Sequence, residues 1–164
     1  MLKVLEVTQE NQPIGFSEKI EAHHKGTLHR AFSILIFNLD GEMLLQKRAD
    51  DKYHSMGKWS NAACGHPLTD DIKSEASQRL LEEMGVETEL EYSYTFHYTE
   101  NVGDLYENEI DEVYVGVYTG EVRPNPDEVS AYKWIGMEEL YEDMQNNPDD
   151  YSRWFQIIIR DNKW

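Results

Sequence analysis

The chain has 164 residues, with 32 aspartates and glutamates against 15 lysines and arginines, a formal charge of −17, and 40% apolar residues. That length and apolar content fit one domain, 1–164, around a single core, and the charge opposes broad binding to a nucleic-acid backbone. One cysteine leaves no internal disulfide to form, no basic start leads into an apolar leader, and the longest apolar runs (34–37 and 157–159) fall far short of the about 20 residues that cross a bilayer; the expectation is a cytoplasmic protein with no membrane partner.

In chain order, Lys3–Thr8 reads as a strand within an N-terminal lead-in over 1–22. Ala31–Asn38 is a nearly continuous apolar strand stopped by Asp40-Gly41, and Met43–Gln46 returns from that turn, which predicts a hairpin. Residues 49–59 are polar and lack periodicity. Ser60–Cys64 is short and small-residued and ends in Gly65-His66-Pro67, a constrained turn. Asp70 or Asp71 caps a helix that runs to Met84 and stops at Gly85, with Ala76, Leu80, Leu81 and Met84 as its apolar stripe. Leu90–Thr99 and Leu105–Tyr118 read as long strands joined through Asn101-Val102-Gly103-Asp104, and a proline-containing loop leads to a strand over Ala131–Ile135. Met137–Asn146 and Pro148–Arg160 read as two helices. This mixture, with no repeat or linker to divide it, predicts a central mixed sheet flanked by helices.

Several side chains stand out chemically. His23 and His29 flank Lys25-Gly26 just before the apolar strand; each alone is as readily a surface or core histidine as a ligand. In Cys64-Gly65-His66-Pro67 the turn can aim both side chains at one cavity, or leave an inert thiol beside a turn histidine. Glu107 and Glu109 are two apart on a strand, on one face and about 7 Å apart. They are either solvated edge charges or, if the face continues inward through Asp111, Val113, Val115 and Val117, paired carboxylates that need a cation or a shared proton. Imidazoles and carboxylates together suit Mg²⁺, Mn²⁺ or Zn²⁺. On the 71–84 helix Glu82 faces solvent, while Glu83, at the edge of the stripe, either reaches a site under the helix or pairs with a lysine. Arg48 and Lys52 could hold a phosphate, the first by a bidentate fork and the second as a point charge. Trp59 and Trp154 are simplest as core aromatics, though an aromatic face also stabilises a carbocation.

Together the segments resemble the type I isopentenyl-diphosphate isomerases of the Nudix superfamily. The resemblance runs from Ala22 to Trp154 through Ala22-His23, Leu28-His29-Arg30-Ala31-Phe32-Ser33, Arg48-Ala49, Lys52, Trp59-Ser60-Asn61, Cys64-Gly65-His66-Pro67, Glu82-Glu83-Met84-Gly85-Val86, Phe96-His97-Tyr98, Glu107-Asn108-Glu109, Asp127-Glu128-Val129 and Tyr151-Ser152-Arg153-Trp154. It implies a Nudix-type α/β/α sandwich (α/β, or α+β) with a central mixed β-sheet, and a metal-dependent shift of the double bond of isopentenyl diphosphate to give dimethylallyl diphosphate. It implies that His23, His29, His66, Glu107 and Glu109 hold one divalent ion (Mn²⁺, Mg²⁺ or Zn²⁺). Glu83 would help hold an Mg²⁺ that arrives with the diphosphate, and Arg48 and Lys52 would contact that diphosphate, with Arg79 a third candidate. Cys64 and Glu109 become the proton-transfer pair, Tyr98 tunes Glu109, and Trp154, on a C-terminal lid helix within 148–164, shields the cation. Monomer or weak homodimer is the expected state. Where the hydrolytic Nudix signature carries Arg-Glu, this chain has Gln78 and Arg79, which counts against a pyrophosphohydrolase. The alternatives are such a hydrolase acting on a diphosphate-containing substrate, and a non-catalytic metal-binding module. Ser55-Met56-Gly57 replaces the usual Trp-Pro-Gly or Phe-Pro-Gly at the pocket mouth, and Tyr-Ser-Arg-Trp replaces a Phe-Ser-Pro-Trp-like motif at the lid.

Overall fold

In the computed structural model, which describes residues 1–51 and 55–164, the first strand forms as expected and is followed by two elements absent from the sequence reading. After β1 (Lys3–Val7), which buries Val4, Leu5 and Val7, the chain turns back as β2 (Pro13–Glu18), antiparallel to β1. A short α1 (Lys19–Lys25) follows; the Glu18 side chain accepts the Glu21 N–H at its start, and Gly26 ends it at φ 66°, a left-handed conformation that suits glycine. Then come β3 (His29–Phe37), β4 (Met43–Arg48), β5 (Trp59–Ser60), β6 (Ala63–Gly65) and α2 (Ile72–Met84). The last part is β7 (Glu91–Val102), β8 (Leu105–Val117), β9 (Val129–Ile135), α3 (Met137–Asn146), a 3-10 turn over Pro148–Asp150 and α4 (Arg153–Asp161). Asp71 caps α2 and Gly85 closes it, as expected.

β3 is the spine of the sheet. It runs parallel to β8 from His29↔Glu109 to Phe37↔Val117, and pairs antiparallel with β6 from Phe32↔Gly65 to Ile34↔Ala63. The expected β3–β4 hairpin is tied only at its mouth, Phe37↔Met43, because β6 takes the edge of β3 while β9 pairs with β4 along its length. Among the described residues the sheet has nine strands, with helices on both faces. Phe32, Ile34, Ile36 and Leu44 pack against Leu80 and Met84 of α2; on the opposite face Leu35, Leu45 and Val113 pack against Leu140, Phe155 and Ile158 of α3 and α4. This is the α/β/α sandwich with a mixed sheet.

Two patterning expectations are corrected. Leu81 is 41% exposed and Val117 52% exposed: the first lies beyond the buried stripe of α2, and the second at the last residue of β8, past the helical cover. The predicted 148–160 helix is broken by the 3-10 turn, after which Tyr151 bridges to Trp59 and the Ser152 N–H donates to the Trp59 carbonyl at 2.9 Å. Nine-residue α4 is too short to persist alone. It is held by Trp154, Phe155, Ile158 and Ile159, all buried, each large apolar side chain stabilising by about 1.5–3 kcal/mol.

Candidate metal centre and pocket

The elements deliver one ligand each, or two. α1 carries His23, β3 opens with His29, the turn after β6 carries His66, and β8, through its two-residue period, turns Glu107 and Glu109 to the same buried face. The candidate ligand atoms of His23, His29, His66 and Glu109 all lie within 4.8 Å of one another. Glu109 Oε1 is 2.9 Å from His66 Nε2, 3.2 Å from His29 Nε2 and 4.0 Å from His23 Nε2, and Glu107 Oε2 is 3.5 Å from His23 Nε2.

Backbone carbonyls set the tautomers. His23 Nδ1 is 2.6 Å from the Lys19 oxygen and His29 Nδ1 2.8 Å from the Thr27 oxygen; a carbonyl only accepts, so both Nδ1 atoms carry hydrogen and it is Nε2 of each ring that faces the cluster. Burial pushes His66 down to about 4, against the pull of Glu109, so it is neutral at pH 7. Burial also works against protonation of His29, but its hydrogen bond to Glu109 and that carboxylate's charge leave it above its ordinary value. Burial would raise Glu109, yet His66 and His29 hold it well below the usual carboxylate range, whereas burial and then the charge of Glu109 push Glu107 up to about 7. Nitrogen lone pairs and carboxylate oxygens packed at these distances repel unless a proton or a cation lies between them. Around an ion with bonds of about 2.0–2.2 Å, neighbouring ligand atoms sit ~3 Å apart. The 2.9 and 3.2 Å separations at Glu109 fit that spacing, and the nitrogen and carboxylate donors fit a divalent ion.

Beyond the cluster, a second group of side chains gathers around Cys64. Cys64 pairs with Ser33 across β6 and β3, and burial pushes its thiol up to about 12 although the Arg48 guanidinium opposes the shift. Arg48 Nη1 lies 3.9 Å from Cys64 Sγ, and the guanidinium stacks 5.3 Å above the Trp154 ring. Arg48 Nε is buried without a hydrogen-bond partner among the described residues. Trp154 Nε1 donates to Asn61 Oδ1 at 3.1 Å, and the Asn61 amide donates to the carbonyls of Ile34 and Ala63. Tyr98 stands opposite Glu109 in the β7–β8 ladder, its hydroxyl pKa raised by burial and then by Glu107 and Glu109.

Glu83 is not among the clustered ligands. It is buried, as the helix face suggested, but its carboxylate takes Arg79 Nη2 at 2.6 Å and the Gln46 side-chain amide at 2.8 Å. The expected lysine partner is thus an arginine four residues back, one helical turn away. Arg79 itself is shared with Glu128 at 3.2 Å and Glu82 at 3.7 Å. Lys52 lies outside the described residues. One half-buried group escaped the sequence reading, and a buried one was read there only as part of an inward face. Lys19, its pKa lowered by burial, acts electrostatically on Cys64 and Glu109. Asp111 accepts from Ser33 Oγ at 2.8 Å, and burial followed by the charge of Glu109 raises it well above its ordinary value. The signal for Lys19 was its position four before His23 on one helix face, invisible while α1 was unread.

A NUDIX domain model matches residues 27–155. The chain is 41% identical over 157 residues to the isopentenyl-diphosphate Delta-isomerase of Serratia proteamaculans, covering 94% of this chain and 88% of that protein. It is 44% identical over 155 residues to isopentenyl-diphosphate Delta-isomerase 2 of Photorhabdus laumondii, covering 93% and 88%. The chain belongs to the isopentenyl-diphosphate Delta-isomerase family, within the NUDIX-domain proteins. Likeness of fold alone reaches further: a Deinococcus radiodurans crystal structure superposes with a TM-score of 0.77 at 14% identity, covering 97% of this chain and 98% of that one. A MutT protein from Methanosarcina mazei gives 0.68 at 20% identity, covering 84% and 96%. Within this isomerase family member, the positions that depart from the hydrolytic signature are occupied differently. Gln78 is exposed and donates to Glu82 at 2.9 Å, and Arg79 adds a positive charge where the signature has a carboxylate.

Proposed function

We propose that the protein converts isopentenyl diphosphate to dimethylallyl diphosphate by a 1,3-proton shift through a tertiary carbocation-like species. The observation that carries this reading is the pairing, on one sheet face, of a thiol kept protonated with a carboxylate kept ionised. Cys64 and Glu109 belong to one unit, because His66, two residues after the cysteine, reaches Glu109 at 2.9 Å. One C–H bond forms at the terminal methylene and one breaks at C2, so one group delivers a proton and the other removes one. Each turnover exchanges their protonation states, and pocket water returns the proton. The cysteine acts as a proton carrier with no covalent intermediate.

His23, His29, His66, Glu107 and Glu109 would hold the divalent ion, Mn²⁺, Mg²⁺ or Zn²⁺. When bound, it supplies positive charge that fixes the Glu109 carboxylate and tunes its proton. Tyr98 lies across the ladder from Glu109 and tunes it from the other strand. Arg48 offers the diphosphate a half-buried guanidinium whose Nε–H has no partner among the described residues, and Lys52 and Arg79 are the further cations; Glu83 would meet the Mg²⁺ that accompanies the substrate. Trp154, stacked on Arg48, presents a π face that stabilises the cation and keeps water from it. A free thiol that must carry a proton suits a reducing, cytoplasmic setting.

Proton NMR of isopentenyl diphosphate in D₂O with the protein and Mg²⁺ tests the reading. The expected result is dimethylallyl diphosphate carrying deuterium at the exchanged positions. Phosphate release in its place would make the protein a hydrolase, and the absence of both would reduce it to a binding module.

A further inference from the structure

His66 differs from the other candidate ligands in standing on no regular element. It sits in the six-residue connection between β6 and α2, residues 66–71, whereas His23 is in a helix and His29, Glu107 and Glu109 are in strands. A ligand on a loop holds its position only as well as the loop is held.

The connection is fastened by one side chain from the next element. The Glu75 carboxylate, in the first turn of α2, accepts the Leu68 N–H at 2.9 Å on Oε2 and 3.1 Å on Oε1, the Thr69 N–H at 2.8 Å and the Thr69 hydroxyl at 2.5 Å. The Thr69 hydroxyl oxygen in turn accepts the Asp71 N–H at 3.2 Å. A second tether runs from β3: Arg30, next to His29, donates to Asp70 at 2.9 Å and also to the side chain and backbone of Asn11. Pro67 is buried, but Leu68, Thr69 and Asp70 are all exposed, so no apolar burial fixes the stretch beyond the proline. The conformation of 68–71 rests on those hydrogen bonds. Glu75 touches neither the His/Glu cluster nor the pocket residues, yet it governs the two residues immediately beyond Pro67 and hence the path of His66.

We propose that Glu75 is the positioning residue of the His66 ligand, a half-buried surface carboxylate that sets ion affinity from outside the centre. This rests on reading the cluster as a metal centre. Without the clamp the 66–71 connection samples more conformations, and His66 must be ordered when the ion binds, which weakens binding.

The test is the affinity of the ion-free full-length protein for Mn²⁺, measured by electron paramagnetic resonance and by competition with a chromophoric chelator. Glu75→Ala is expected to weaken Mn²⁺ binding about 10–100-fold, the scale of losing a group that orients a ligand. Glu75→Gln, which keeps an acceptor oxygen, should fall between it and the parent. Thr69→Val, which removes only the hydroxyl, should show a smaller loss, and Lys73→Ala on the same helix should show none. Saturating Mn²⁺ should restore the kcat of Glu75→Ala with KM for isopentenyl diphosphate unchanged, a rescue that a general loss of folding would not give. If the parent binds Mn²⁺ and Glu75→Ala and Glu75→Gln bind it within twofold of the parent, the proposal is overturned while the metal centre stands. If the parent binds no Mn²⁺, both fall. Should Glu75→Ala not fold, Glu75→Gln and Thr69→Val decide the matter alone.

Discussion

Removing the ion should lower the melting temperature by a calculable amount. The clustered ligands come from α1, β3, the turn after β6 and β8, so an ion held there cross-links four parts of the chain that otherwise meet as mutually repelling donors. Binding to the folded state alone stabilises by RT ln(1 + [L]/Kd), about 4 kcal/mol when the ion is at a thousand times its Kd. For a chain of this length each kcal/mol moves the midpoint by about 2–4 °C, so the loaded protein should melt about 8–16 °C above the chelated one. The shift should also depend on pH. His29 and Glu107 both have raised pKa values, Glu107 about 7, and so hold protons in the ion-free protein that binding must displace. Affinity for the ion should therefore rise with pH through about 7, by up to tenfold per pH unit for each proton released, and level off above. Scanning calorimetry with chelator and with Mn²⁺, and titration calorimetry in buffers of different ionisation enthalpy, measure both effects. Identical melting curves with and without the ion, with no protons released, would refute the metal centre.

Other perturbations separate the roles. Cys64→Ala and Glu109→Gln should each lose at least ~10² in kcat, the scale of removing a general acid or base, while Cys64→Ala still binds Mn²⁺; activity near the parent's in both would break the proposed proton pair. Trp154→Phe loses the 3.1 Å bond to Asn61 and weakens the stack on Arg48, so it should destabilise by about 1–2 kcal/mol in urea titrations and raise KM for the diphosphate; unchanged values would show that the indole is only filler. Tyr151→Phe removes the donor that, with Asn147, holds the Asp143 carboxyl below its usual range. A depressed carboxylate stabilises above its unfolded pKa and loses that contribution as pH falls through its folded value. The parent should thus exceed the variant by about 1 kcal/mol at pH 7, discounted for the exposure of Asp143, and by less at about pH 3, where protonation of the carboxylate has begun to remove the contribution. Denaturant melts at both pH values check this.

The α2 boundaries, the long β7–β8 pair and the cluster of His23, His29, His66 and Glu109 were legible because each has a local signature: a cap and a stop glycine, two-residue alternation, and ligand types near strand ends. What was not legible is long-range. Nothing local tells β3 to pair with β8 and β6 in preference to its sequence neighbour β4, since an apolar strand fits any partner and the pairing is settled by which edges the rest of the chain leaves open. α1 went unread because seven residues cannot show a helical period, and with it went Lys19. Glu83 was placed on the right face, but which cation meets it depends on Arg79 one turn earlier and on Gln46 from β4, a strand the helix meets only through the sheet.

An acidic chain that binds a diphosphate is consistent once distance is considered. At physiological ionic strength exposed charges are felt over about 8 Å, so most of the −17 is invisible at the pocket. What counts there is which cations are already neutralised. Arg79 is committed to Glu83, Glu128 and Glu82, whereas Arg48 is stacked on an aromatic ring, faces a thiol that burial keeps neutral, and has a buried Nε–H with no partner among the described residues. A buried guanidinium N–H left without an acceptor is costly in the empty protein, and that cost is recovered when a phosphate oxygen arrives. The same burial that makes Cys64 a reluctant acid therefore leaves Arg48 unneutralised by the thiolate that would otherwise form beside it. The proton-carrying and the anion-binding sides of the pocket depend on one another through the 3.9 Å between Arg48 Nη1 and Cys64 Sγ.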